Sequence, residues 1–358
     1  MSDEGAGLIR RFEDIDIGSR RSVGGKGASL GELTRAGIRV PPGFVVTTDA
    51  FEAFVGRIDP ERRIRRTVEG LSPDDLVTVS QVTKGIRDRI ETAPIGAALA
   101  AAIEAHYVRL CGPDADAPVA VRSSATSEDS TDASFAGLQD TYLWIRGSAD
   151  VLRFVRSCWA SLYSAESVTY RLRRKLPEDG LAMAVVIQAM VNSRVSGVMF
   201  TRSPLTGDRS VIAIEASFGL GSCIVSGEVT PDKYVVGKVT GEIVRRTISH
   251  KTVMHIPDLA RGGTREQPIP SDRRDQPCLS DDEVLELGRI AKRIEQHYGA
   301  AQDIEWAIGP GSDGHEAIFL LQSRPETIWS AREAQPTARP KARAFDHVFE
   351  VLGQRGKA

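Results

Sequence analysis

Gly24-Gly25-Lys26-Gly27 stands at the head of residues 22–33, whose apolar spacing is helical. Backbone N–H groups at a helix start, with a lysine beside them, suit a phosphate. A turn with a helix cap and a solvated lysine accounts for the same residues. The pattern is not a P-loop, which needs Gly where Arg20 stands and Ser or Thr where Gly27 stands. In residues 119–126, VAVRSSAT, a short apolar strand ends in Arg122 and a row of hydroxyls. A guanidinium fork fits phosphate oxygens, and a strand end with a capping serine fits the same string. Residues 137–141, Gly137-Leu138-Gln139-Asp140-Thr141, lie in a small-residue hairpin that either closes over a ligand or is an ordinary hairpin.

Glu305 and the pair Gln322/Arg324 are more specific. Residues i and i+2 on a strand share a face, so Gln322 and Arg324 point the same way, and Glu305 lies opposite them if the two strands pair. A carboxylate, an amide oxygen and a guanidinium on one sheet face suit Mg²⁺ with a polyphosphate, the hard oxygens on the metal and the arginine on the phosphates. A surface hairpin with a salt bridge is the plainer account. Glu215, at the end of VIAIEA, is a further inward carboxylate candidate.

Other chemistries find no support. Gly25-Lys26-Gly27 and Gly219-Leu220-Gly221 both lack the third glycine of a dinucleotide fingerprint. No serine nucleophile elbow occurs. His106, His250, His255, His297, His315 and His347 form no metal pattern and sit near no Gly/Ser-rich nucleophile turn, so they read as solvated or structural. Cys111, Cys158, Cys223 and Cys278 form no CxxC pair, which predicts reduced thiols with neither a disulfide framework nor a zinc site.

The elements that must hold these residues are of both kinds. Helical patterns cover 22–33, 49–110, 151–174 as one long helix, and 280–298, where Ser280 and Glu283 make a capping box. Strand candidates are 184–188, 195–201, 210–215, 233–236, 303–308 and 317–322. The polar stretch 258–275 reads as a surface loop, and from residue 331 the composition is that of a linker, followed by the short apolar segment AFDHVFEVL. The fold class expected is α+β (α/β).

Composition narrows the partners. The 358 residues carry 46 Lys+Arg against 48 Asp+Glu, and a net charge of −2 gives no footprint for nucleic acid. The longest apolar stretch, 181–191, is interrupted by Gln188 and too short to span a bilayer. Residues 1–16 hold five acids and no apolar core, so no secretory signal is read there and a cytoplasmic location is expected.

Taken together, GGKGASLGEL, VPPGFVVTTDAF, VAVRSSATSED, DASFAGLQDTYL, VVIQAMVNSRVSGVMFTRSPLTGD, EASFGLGSCIVSGEVTPDKYVV, DIEWAI and LQSRPET resemble the ATP-binding (PEP/pyruvate-binding) domain of the PEP synthase, pyruvate phosphate dikinase and rifampicin phosphotransferase family, in family order over about residues 8–328. The resemblance implies an ATP-grasp-like fold of two lobes, 1–190 and 191–328, with a linker-like tail at 329–358. It implies Mg·ATP between the lobes, with phosphate passing to a histidine on a swivelling domain and ATP ending as AMP and Pi. Lys26 and Arg122 would hold phosphates under the loop Gly137, Leu138, Gln139, Asp140 and Thr141. The backbone of Gln188, Ala189, Met190 and Val191 would read adenine, Glu305 and Gln322 would ligate Mg²⁺, and Arg324 would touch the phosphates. Glu215 would be a ribose- or metal-side contact.

The family's self-sufficient members are longer and carry a Thr-Ser-His-Ala type histidine domain and an acceptor domain, and none of the six histidines here has that context. The expectation is therefore an ATP-dependent phosphotransferase subunit, similar to the ATP-binding subunit of phenylphosphate synthase, incomplete without a separate polypeptide that bears the phosphohistidine and the acceptor site. The alternatives are an ATP-grasp ligase forming an acyl phosphate and a non-catalytic nucleotide-binding regulatory module.

Overall fold

Residues 183–189 read MAVVIQA, and a run apolar at nearly every position needs cover on both faces. It forms the central strand of a five-stranded antiparallel sheet. The computed structural model describes residues 7–112, 116–126, 140–311 and 314–330. Gly137, Leu138 and Gln139 of the expected phosphate loop, and the segment from 331 onward, lie outside them. In chain order the first sheet's strands are β1 (Ile9–Arg11), β2 (Gly43–Val46), β3 (Val119–Ala125), β4 (Thr141–Ile145) and β5 (Met183–Ala189), arranged β1-β2-β5-β3-β4.

The two-residue period sorts this sheet's side chains. Met183, Val185 and Ile187 join a core built with α2 (Thr48–Ile58), α3 (Arg63–Glu69), α4 (Leu76–Thr92), α5 (Ala97–Cys111), α6 (Ser148–Ser161) and α7 (Ala165–Arg174). At its centre Phe51 and Phe54 lie against Trp159, ring centroids 6.0 and 4.8 Å apart. Ala184 and Val186 join a second, smaller core with Val23, Ala28 and Leu30 of α1 (Arg20–Arg35). The stretch 151–174 is two helices rather than one. Ser164 breaks it, its hydroxyl accepting from the Ser167 N–H as the cap of α7.

The second sheet has six antiparallel strands: β6 (Val195–Phe200), β7 (Val211–Phe218), β8 (Asp232–Gly237), β9 (Ile243–Thr247), β12 (Gln302–Pro310) and β13 (Glu316–Pro325), in the order β13-β12-β6-β7-β8-β9. One face carries Met199, Ile212, Ile214, Tyr234, Val236, Ile304 and Trp306 against α9 (Asp281–Tyr298), whose capping box at Ser280 and Glu283 is present. Between the sheet's strands come the short α8 (Ser222–Val225) and a hairpin of β10 (Val253–Pro257) and β11 (Thr264–Pro268). The second strand of that hairpin falls within the stretch 258–275 expected to be a loop. This strand, TREQP, is exposed along nearly its whole length and so has no apolar alternation to announce it.

Helix α1 touches both sheets. Leu33 enters the second sheet's core, and the Ser29 hydroxyl donates to the Ser323 carbonyl at 2.5 Å. The chain clusters into a compact unit from Met1 to Glu326, and of the remaining unit only residues 327–330 are described. Among the described residues no helix is long and apolar enough to cross a membrane.

Candidate functional site

The face of the second sheet turned away from α9 carries one row that is polar except at Val198. Gln322 pairs with Glu305, Glu305 with Val198, Val198 with Glu215 and Glu215 with Lys233, and directly opposed residues share a face. The first sheet sends Arg122 of β3 onto this row. Its Nη2 donates to Gln322 Oε1 at 2.7 Å and Glu305 Oε2 at 3.0 Å, and its Nη1 to the Leu321 carbonyl at 2.8 Å and Gln188 Oε1 at 3.4 Å. The Arg122 side chain is only 9% exposed, and among the described residues its buried Nε–H has no partner. One carboxylate oxygen and one amide oxygen thus converge on a single cationic nitrogen.

Beside this cluster lies a cavity of about 360 Å³ between the two sheets. Arg122, Thr141, Gln188, Ala189, Met190, Val191 and Glu305 all line it, so seven of the expected site residues meet at one place. Gln322 joins them through Arg122. Sequence reasoning misses Ser196, Gly197, Ser222 and the Leu321 backbone, which also line it. Gly197 is a legible signal in retrospect. A Cβ there would lie 1.9 Å from the Glu215 carbonyl and 2.7 Å from the Trp306 ring, so only glycine lets the strands close.

The hinge backbone is partly committed. The Ala189 N–H donates to the Pro42 carbonyl at 2.9 Å and the Met190 N–H to the Pro118 carbonyl at 3.0 Å. Among the described residues the Val191 N–H has no such partner.

The glycine-rich turn is docked as well. Helix α1 is interrupted at Gly24, where φ is +69° and ψ 179°, a region essentially reserved for glycine. A Cβ there would fall 2.1 Å from the Ser124 carbonyl. Ser124 Oγ accepts from the Gly27 N–H at 3.2 Å and donates to the Val23 carbonyl at 2.9 Å, tying the turn to the end of β3. Lys26 is buried at this junction, outside the cavity's lining. Asp140 accepts through its carbonyl from Ser123 and through Oδ2 from the Tyr142 hydroxyl at 2.8 Å. Burial, then the nearby Asp140 carboxylate, pushes the Tyr142 phenol well above its ordinary value.

Two expected contacts stand apart from the cluster. Arg324 Nε lies 3.4 Å from Asp303 Oδ2, its cross-strand neighbour, and Glu215 is paired with Lys233 at 3.1 Å. Neither lines the cavity. Of the histidines read as solvated or structural, one is tied closely into the fold beside the cavity. His255 on β10 lies beside the Gly219–Ser222 turn, Nδ1 2.7 Å from Ser222 Oγ and Nε2 2.9 Å from Glu228 Oε2. The partners are 33 residues apart, so no local spacing reveals the contact.

The family described as pyruvate phosphate dikinase, AMP/ATP-binding domain, matches residues 20–344. The chain is 40% identical over 343 residues to a probable phosphoenolpyruvate synthase of Staphylothermus marinus, covering 89% of this chain and 41% of that protein. It is 42% identical over 346 residues to a rifampicin phosphotransferase of a Streptomyces species, covering 96% and 38%. It is 40% identical over 375 residues to the phosphoenolpyruvate synthase of Aeropyrum pernix, covering 96% and 45%. The chain thus spans less than half the length of each of these relatives. Among solved structures, D-alanyl-alanine synthetase A of Vibrio cholerae aligns at a TM-score of 0.28 and 10% identity, over 84% of this chain and 58% of that one.

Proposed function

The chain belongs to the pyruvate phosphate dikinase AMP/ATP-binding domain family, and from that footing we propose that it is the ATP-binding part of a dikinase-type phosphotransferase with an ATP-grasp-like arrangement of two lobes, residues 1–190 and 191–328. The observation that carries this reading is the convergence of Glu305 and Gln322 oxygens on Arg122 at the wall of the cavity that the hinge also lines.

Those two oxygens form a hard donor set that already gathers around one cationic centre, which fits Mg²⁺. Glu305 and Gln322 would hold the ion, which when bound neutralises polyphosphate charge. Arg122 would turn its guanidinium, including the unpaired Nε–H, to phosphate oxygens. Lys26, the loop at 137–141 and Arg324 would complete the phosphate side, Arg324 by leaving Asp303. At the hinge the Val191 N–H is the donor left for adenine, since those of Ala189 and Met190 are engaged. The rim of Glu215 would reach ribose or metal only on release from Lys233.

These residues position and neutralise, with no covalent step on this chain. Phosphate would pass to a histidine on a separate domain or polypeptide, which also carries the acceptor site. One phosphoryl group would stay on that histidine, water would take the other to give Pi, and AMP would be released, in the cytoplasm. The test is calorimetric titration of the chain with ATP, with and without Mg²⁺, repeated on Arg122→Gln. Mg²⁺-dependent binding that the variant loses is the expected result. Equal binding by wild type and variant would overturn the assignment of the site.

A further inference from the structure

The turn that supplies Ser222 to the cavity also brings together three side chains that nucleotide binding does not use. Cys223 is buried in α8, Glu228 follows three residues after that helix, and His255 comes from β10. One ligand atom from each lies within 4.8 Å of the others. The backbone holds the arrangement in place, because the Leu220 N–H donates to the His255 carbonyl at 2.9 Å.

We propose that Cys223, Glu228 and His255 form a zinc-binding site that fastens the β10–β11 hairpin to the turn beside the cavity. A thiolate, an imidazole nitrogen and a carboxylate oxygen are the donor types of a borderline-soft divalent ion, and three protein ligands leave a fourth position for water. The outer contacts suit this role. A metal would take the place of the Nε2 proton of His255, which stands 2.9 Å from Glu228 Oε2, while Nδ1, 2.7 Å from Ser222 Oγ, would keep the other ring proton and orient the imidazole. Glu266, opposite His255 across the hairpin, adds negative charge nearby. Burial raises the Cys223 thiol to about 11, so the ion must displace its proton, and affinity falls as pH is lowered.

The test uses the full chain stripped with a chelator, without nucleotide, so its outcome is independent of the ATP reading. Zn²⁺ is titrated against a chromophoric competitor, and Co²⁺ is substituted to look for a thiolate-to-cobalt charge-transfer band in the near ultraviolet. One equivalent of metal and the band are expected. Cys223→Ser should abolish the band and weaken Zn²⁺ by more than the roughly 10–100-fold that losing an outer contact costs. Ser222→Ala should weaken it by roughly tenfold with the band intact. Zn²⁺ binding should also slow amide exchange in residues 253–268. A band that persists in Cys223→Ser would assign the thiolate to Cys111, Cys158 or Cys278 and overturn the proposal, as would wild-type affinity no greater than that variant's. Should Cys223→Ser fail to fold, Glu228→Gln alters an exposed position, and undiminished affinity there overturns the proposal equally.

Discussion

Replacing Glu305 by glutamine separates what the carboxylate does for the fold from what it does for a ligand. In the ligand-free chain Glu305 meets Arg122 at 3.0 Å, but its side chain is 38% exposed. The Arg122 side of the pair is buried, so the cost of the change depends on the acceptors that remain to it, while the wet carboxylate itself contributes about 1 kcal/mol or less. Arg122 keeps Gln322, Leu321 and Gln188 as acceptors, and the new amide oxygen can still accept from Nη2. The variant should therefore unfold within about 1 kcal/mol of wild type.

With ligand the difference widens. Mg·ATP at about 100 times its dissociation constant stabilises a chain by about 2.7 kcal/mol. If loss of the carboxylate weakens Mg·ATP a hundredfold, the same concentration gives only about 0.4 kcal/mol. Thermal denaturation reads this directly, as a midpoint rise of several degrees in wild type that nearly vanishes in Glu305→Gln. Two results refute the reasoning. A full Mg²⁺-dependent rise in the variant would remove Glu305 from the metal's ligands. A ligand-free loss of several kcal/mol would make it a structural partner of Arg122 instead.

Two further outcomes test the scaffold. Ser124→Ala leaves the Gly27 N–H and the Val23 carbonyl without their buried partner and should cost about 1–3 kcal/mol. Gly24→Ala adds a Cβ 2.1 Å from the Ser124 carbonyl at a positive φ and should cost about 3 kcal/mol or more, the larger loss by chemical denaturation. The alkaline limb of stability follows from buried thiols. Burial raises Cys223 from 9.0 to about 11 and pushes Cys158 and Cys278 up as well. The fold favours their neutral forms, so this contribution is complete below pH 9 and is lost as pH rises through the folded values. Denaturation midpoints should fall between about pH 9 and 10.5, less so in Cys278→Ser, and a flat profile over that span would contradict the assigned burial.

What the sequence displays depends on how far apart the partners lie. The run at 183–189 and the capping box at 280–283 are local patterns, and both stand in the structure as strand and helix start. The i, i+2 rule places Gln322 and Arg324 on one face and leaves open which guanidinium meets Gln322. The arginine that does so is Arg122, 200 residues earlier, while Arg324 turns to Asp303. Periodicity within a strand cannot reach across two sheets, since register between distant strands is set by both cores at once. His255 makes the same point more sharply. Its own strand is half-buried throughout, with no chemistry in its pattern, and its partners Ser222 and Glu228 open and follow the short α8 among glycines that suggest only turns. The hairpin that carries it has a second strand too polar to be noticed. The contacts hardest to read are therefore those in which a polar hairpin brings one side chain against a distant turn. Such contacts need tertiary structure before their chemistry can be judged, and the metal titration above is where that judgement meets a measurement.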